Sequence, residues 1–281
     1  MASSTDRAGI DAAIQLMESL AADIGQPSLT WFVTYGRCWR VLLAGDADEA
    51  ERLADRALQI GSDSGQPDAF TVYGASLLNI RWHQGRTEEM LPLVEQAAAE
   101  SPDIPAFQAV YAQTLCECGR TEAARPLLEA ARDADFHHAA YDYIWLTNTA
   151  FWADTAAWLG DTSAAALLFE RLAPYERQGI MTGATFTGTV GMCLARLATV
   201  LGRHDDADKL FERADAQLRA LDAPFLQARN QVEWARLLGT NGSDTDRQRA
   251  EALLTTAEST ARTYGCAGIE RRARELAAST Q

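Results

Sequence analysis

The chain has 281 residues, 47% of them hydrophobic, which is ample for a packed core and excludes disorder over most of its length. Its 39 acidic against 25 basic residues leave a formal charge of -14, which opposes approach to phosphate backbones and anionic lipid. Neither direct nucleic-acid binding nor membrane association is expected. Lys209 is the only lysine among abundant arginine and alanine, a usage that points to a GC-rich bacterial genome.

Taken in chain order, residues 1–6 show no basic region followed by an apolar core and are expected to be disordered rather than a signal peptide. A helix near 6–24 follows. Five segments then share one frame: GDADEAERLADRAL from Gly45, GRTEEMLPLVEQAA from Gly85, GRTEAARPLLEAAR from Gly119, GDTSAAALLFERLA from Gly160 and GRHDDADKLFERAD from Gly202. A sixth, RAEALLTTA, lies behind a lengthened loop with its glycine displaced to Gly239, and the successive glycine intervals are 40, 34, 41, 42 and 37. Five, eight and twelve residues after each of the first five glycines stand a small or thioether residue, a leucine and another apolar residue, as in Ala50, Leu53 and Ala57, and Ala250, Leu253 and Ala257 keep that register in the sixth segment. Those offsets fall on one helical stripe. An apolar-periodic segment precedes each glycine, which is placed to take the left-handed C-cap conformation, and acidic residues or threonine follow, as helix N-termini favour. Each unit therefore reads as helix A, tight turn, helix B.

The stretch GIMTGATFTGTVG, residues 179–191, lacks the lysine of a phosphate-binding loop and follows a helical segment rather than a strand. Gly179 and Gly183 fall in the connection between units, and Gly191 inside helix A. The segment TFTGTVG reads as a weak first turn of that helix, which makes Gly183, Gly188 and Gly191 a candidate hinge. YDYIWLTNTAFW is expected to pack between units through Trp145 and Trp152. A capping helix near 266–279 alternates Arg271, Arg272 and Arg274 with Glu270 and Glu275, a solvated face by its pattern.

This pattern resembles the tetratricopeptide repeat (TPR). LLFERLAPY, LGRHDDADKLFERA and ARNQVEWARLL followed by RAEALLTTAESTARTYG are similar to the C-terminal repeat region of bacterial signalling regulators. Those regulators join a class III nucleotide cyclase or LuxR-type domain to a STAND NTPase. The resemblance implies an all-α, right-handed TPR-like α-solenoid of about six helix pairs plus terminal helices, with 7–279 as one superhelical domain. It also implies that helix A lines a concave groove. The position six before each turn glycine then gives Trp39, Asn79, Gln113, Asp154, Arg196 and Glu233, with Tyr35 and Trp82 beside them. Such a polar ladder with aromatics suits a peptide or small polar ligand; alternatively the face meets solvent or is filled by an N-terminal helix. Asn79 has no lysine partner for clamping a peptide carboxylate.

No catalytic constellation, cofactor motif or metal spacing stands out. The His137-His138 pair near Asp142 is the one place for an enzyme reading, and adjacent histidines point apart. Five cysteines without framework spacing, Cys38, Cys116 and Cys193 among apolar residues, read as reduced core thiols of a cytoplasmic protein. The function expected is a non-catalytic scaffold or sensor that engages a protein or peptide partner, such as a cyclase, STAND NTPase or LuxR-type regulator. The alternatives are a small-molecule effector sensor and, last, a hydrolase or metal-dependent enzyme.

Overall fold

A computed structural model of the protein describes residues 6–102, 104–136, 144–241 and 243–279. After α1 (Arg7–Ile24) come six helix pairs: α2 (Pro27–Leu43) with α3 (Ala47–Asp63), α4 (Ala69–Gln84) with α5 (Leu91–Glu100), and α6 (Pro105–Glu117) with α7 (Thr121–Asp133). Then follow α8 (Trp145–Leu159) with α9 (Thr162–Leu172), a hairpin of β1 (Gly179–Met181) and β2 (Phe186–Thr189), α10 (Val190–Val200) with α11 (His204–Leu221), and α12 (Pro224–Asn241) with α13 (Asp244–Thr263). The last helix is α14 (Ala267–Ser279). The fold is an all-α helical-repeat solenoid, interrupted only by that hairpin among the described residues.

Local chemistry explains the repeat. Gly45, Gly85, Gly119, Gly160 and Gly202 all have positive φ, so each ends a helix A in the conformation glycine tolerates best. Asp46, Asp161 and Ser243 cap the following helices, accepting from the backbone N–H of Glu49, Ala164 and Asp246 at 3.0, 2.8 and 3.0 Å. The small–leucine–small stripe is buried in α3 (Ala50, Leu53, Ala57), in α9 (Ala165, Leu168, Leu172) and in α11 (Ala207, Leu210, Ala214).

In the second unit the stripe is displaced by one residue. Leu93 is exposed, and Met90, Leu91, Val94 and Ala98 are buried. The second helix of this unit is entered through a 3-10 turn, Thr87–Met90; its tighter winding rotates the chain by about 80° more than four α-helical residues would, which moves the apolar face by nearly one position. The sixth turn also departs from expectation. Gly239 lies within α12, which runs to Asn241, so the lengthened loop is largely taken up by helix.

The superhelix closes on itself. One buried cluster joins Ile14, Trp39 and Leu43 of the first helices to Phe186, Phe225 and Ala273. Arg7 of α1 pairs with Asp222, at the end of α11, at 3.1 Å, and His83 of α4 stacks on Phe225 of α12 with ring centroids 3.8 Å apart. One of these approaches is backbone to backbone: a Cβ on Gly85 would lie 2.4 Å from the amide nitrogen of Gly268.

Gly85→Ala should therefore destabilise the protein well beyond the cost of its φ of 74° alone. Gly119 has nearly the same φ, 73°, but open space around it. Urea unfolding should show about 1 kcal/mol lost for Gly119→Ala and about 1–3 kcal/mol more for Gly85→Ala. Equal losses would mean that α4 and α14 do not touch in solution.

Candidate functional site: the filled interior of the superhelix

The expected groove positions do point inward, but the space they face is occupied. Trp39, Asn79, Gln113, Asp154 and Arg196 are all buried. The occupant is the hairpin. Its strands pair antiparallel, Gly179 with Thr189 and Ile180 with Gly188, and a bulge follows Ile180. Phe186 lies stacked on Trp39 at 6.0 Å, and its carbonyl accepts from Asn79 Nδ2 at 3.3 Å.

This corrects the reading of TFTGTVG as a helical turn. Thr and Phe favour extended backbone, and T-G-A-T supplies the turn, with Gly183 at φ 87°. Gly188 sits in β2 at φ 150°, where an added Cβ would press on Met192 Sδ at 3.3 Å. Gly191 is in α10 as expected, one residue after its start.

Below the hairpin lies a chain of ion pairs drawn from four helices and closed by a fifth. Asp154 of α8 accepts from Arg196 of α10 at 2.6 Å through one oxygen and from Arg229 of α12 at 3.1 Å through the other. Arg229 reaches on to Glu117, the last residue of α6, at 3.0 Å, and Arg272 of α14 takes the other Glu117 oxygen at 2.7 Å. Side chains of Arg229 and Glu117 are only 4% and 3% exposed, so neither could carry its charge there alone. Burial opposes ionisation of Glu117, yet Arg272 and Arg229 hold its carboxyl down to about 2. Trp82 lies under the Arg229 guanidinium at 4.9 Å, and Trp158 under those of Arg272 and Arg196 at 4.9 and 5.5 Å.

Arg272 thus corrects the expectation of a wholly solvated C-terminal face: it turns inward and locks the last helix to the middle of the array. Arg271 remains exposed, and Arg274 pairs with Glu258 at 2.8 Å and also with Glu270. Of the remaining expected site residues, Tyr35 packs edge-on to Trp31 at 5.1 Å, and Trp82 edge-on to Phe225 at 4.9 Å. Glu233 pairs with Arg236 at 3.8 Å and adds its negative charge to the field at Arg229. The inner cation of the sixth unit is Arg229 instead. It stands ten before Gly239, the offset at which Tyr35 precedes Gly45.

What space is left is small. A cavity of about 10 Å³, lined by Trp82, Gln113, Asp154, Thr189, Cys193 and Arg229 among others, holds one water at most. A second depression, about 280 Å³ and open to solvent, runs between α1 and α2 beside Asp11, Glu18, Arg37 and Arg40. Its charges are already paired, Arg40 with Asp11 at 2.6 Å and Arg37 with Glu18 at 3.2 Å.

Buried thiols are pushed up, Cys38 and Cys116 to about 12 by loss of hydration, and are protonated rather than nucleophilic. Among the described residues no group of three His, Cys, Asp or Glu side chains is placed to hold a metal, and no helix is long and apolar enough to cross a membrane. His137, His138 and Asp142 lie outside the described residues, as do residues 1–5 of the expected disordered start and Tyr141 and Tyr143 of the aromatic segment. Within that segment Trp152 is buried and Trp145 packs edge-on to Tyr175 at 5.4 Å.

Residues 81–144, from the end of α4 past α7, match the family model of the tetratricopeptide repeat. No curated protein matches the chain. The protein is an all-α helical-repeat protein, and this stretch of it is similar to the tetratricopeptide repeat. Repeats of this kind generally mediate protein–protein interaction and are typically non-catalytic.

Proposed function

We propose that the protein is a non-catalytic scaffold in bacterial signal transduction or transcription regulation, binding its protein partner on the outer faces of a closed repeat array. The partner class is a regulator carrying a cyclase, STAND NTPase or LuxR-type domain. The observation that supports this reading is the filled interior: Trp39, Asn79, Gln113, Asp154 and Arg196 are used by the protein itself, so partner contacts fall to the outer helices. Calorimetric titration of the protein with cyclase, STAND NTPase and LuxR-type regulators encoded in the same genome tests it. Saturable binding to one of them, unchanged by substitutions at the interior ladder that preserve folding, is the expected result; no binding to any removes the signalling role.

A second reading, as an effector sensor, is favoured by one detail. Arg229 Nε and Thr189 Oγ1 are both buried without a partner and line the same small cavity under β2. In that reading Gly183, Gly188 and Gly191 are the hinge that lifts the hairpin for a small polar ligand. Hydrogen exchange across 180–189 tests it: protection equal to that of α11 removes the hinge.

A further inference from the structure

Helix α10 starts without a side-chain cap. Thr189 stands at its N-cap position, yet the hydroxyl makes no cap hydrogen bond and, wholly buried, has no partner among the described residues. A helix start also leaves its first amides without an intrahelical acceptor and carries a partial positive charge. Val190 finds an acceptor in the Gln178 carbonyl at 3.0 Å; Met192 and Cys193 of the same turn, with Gly188 and Thr189 before them, line the small cavity under β2. Arg229 of α12 lines it too, its side chain 4% exposed and its Nε unpaired.

The charges beside this cavity do not balance. Along the buried chain the order is Arg196, Asp154, Arg229, Glu117, Arg272, a cation at each end and one more cation than carboxylates, with Arg272 alone, at 19% exposure, near solvent. Glu233 also acts on Arg229, but Arg236 pairs with it at 3.8 Å and cancels its charge. Asp154 lines the cavity as well, and each of its oxygens already accepts from an arginine. The indole faces of Trp82 and Trp158 ease the excess without supplying a negative charge. An uncompensated charge in such an interior is costly. A water molecule in the cavity would satisfy the Arg229 N–H and the Thr189 hydroxyl and leave that charge as it is; an anion answers both, at a helix end that favours one.

We infer that this cavity binds one small monovalent anion, of halide size, held by Arg229 Nε–H, the Thr189 hydroxyl and the first turn of α10. At about 10 Å³ it has no room for a carboxylate or phosphate group, and the Met192 thioether in its wall is the kind of side chain that yields to an ion slightly wider than water. Bound there, the ion ties the hairpin to α10 and α12, because Thr189 both ends β2 and stands at the N-cap of α10. It gives the second reading above its ligand class, and it rests on that reading's cavity but not on its hinge.

Crystals of the full chain grown in bromide, and melting curves in chloride, test this. An anomalous bromide peak is expected within hydrogen-bond reach of Arg229 Nε and Thr189 Oγ1. Replacing gluconate, too bulky for the cavity, by about 0.5 M chloride at constant ionic strength should raise the melting temperature by about 3–6 °C, the gain that a roughly fiftyfold excess over the dissociation constant gives a chain of this size. Thr189→Val loses only a hydroxyl that has no partner in the protein, so it should fold and should lose both the peak and the chloride effect. Gln113→Glu, which places a fixed negative charge in the same wall, should lose the chloride effect as well. A site filled by water only, with no anomalous peak, or a chloride effect equal in wild type and Thr189→Val, would overturn the inference whatever the hairpin does. Bromide bound beneath a hairpin that exchanges as slowly as α11 even without chloride would uphold the site and remove the hinge alone.

Discussion

Arg229→Met should cost about 3–5 kcal/mol of unfolding free energy, the largest loss expected from any single substitution outside the apolar core. The reason lies in what remains. Glu117 loses one of its two cations and Asp154 one of its two, and both carboxylates stay in the interior, where Glu117 is 3% and Asp154 10% exposed. Lost contact between the guanidinium and Trp82 adds to the cost. Adding Glu117→Gln should recover part of the loss, because an amide requires no cation, and the double-mutant cycle should show coupling of about 1–3 kcal/mol. Additive losses measured by urea unfolding would mean that the two side chains do not meet.

The second large effect is in acid. His83 is fully buried against Phe225, its Nε2 has no hydrogen-bond partner, and burial holds its pKa at about 3. In the unfolded chain it titrates near 6.5, so between these values the unfolded state binds a proton that the folded state refuses. Stability therefore falls as pH drops through 6.5, by about 3 kcal/mol by pH 4, and continues to fall toward pH 3. Glu117 acts lower down. Its folded pKa of about 2 lies below the ordinary 4.5, so the stabilisation it carries is complete above 4.5 and lost as pH falls toward 2. Unfolding measured from pH 7 to 3 should thus be steep for the wild type. His83→Leu should flatten the part between 6.5 and about 3 and leave only the fall that Glu117 contributes below 4.5. An unchanged slope between 6.5 and 4 would place His83 in contact with water.

The repeat was legible because it is local. Turn glycines, capping aspartates and the stripe Ala50–Leu53–Ala57 are relations within fourteen residues, and a helix of these residues can bury its apolar face only in that way. The one-residue displacement in α5 has a visible cause only in retrospect: Pro92 follows the 3-10 turn that rotates the helix.

The interior was not legible, for a different reason. From the second unit on, a polar residue six before each glycine reads as lining an open groove, and nothing near Asp154 or Asn79 in sequence shows otherwise. Their partners are remote: 75 residues separate Asp154 from Arg229, 107 separate Asn79 from Phe186, and 155 separate Glu117 from Arg272. No periodicity encodes such a pairing. The hairpin had a local signal that the repeat frame overrode. Between the apolar Ile180-Met181 and the β-favouring Phe186–Thr189, a T-G-A-T turn is a hairpin pattern, but assigning Gly191 to helix A extended the helix backward over it.

The central claim is that the repeat array closes around its own hairpin and ion-pair chain, leaving no open groove. Small-angle X-ray scattering at low protein concentration tests this most directly. A closed array of 281 residues should have a radius of gyration of about 19 Å, unchanged on addition of moderate salt because the ion pairs are buried. A radius several ångströms larger, with the elongated distance distribution of an open superhelix, would contradict it.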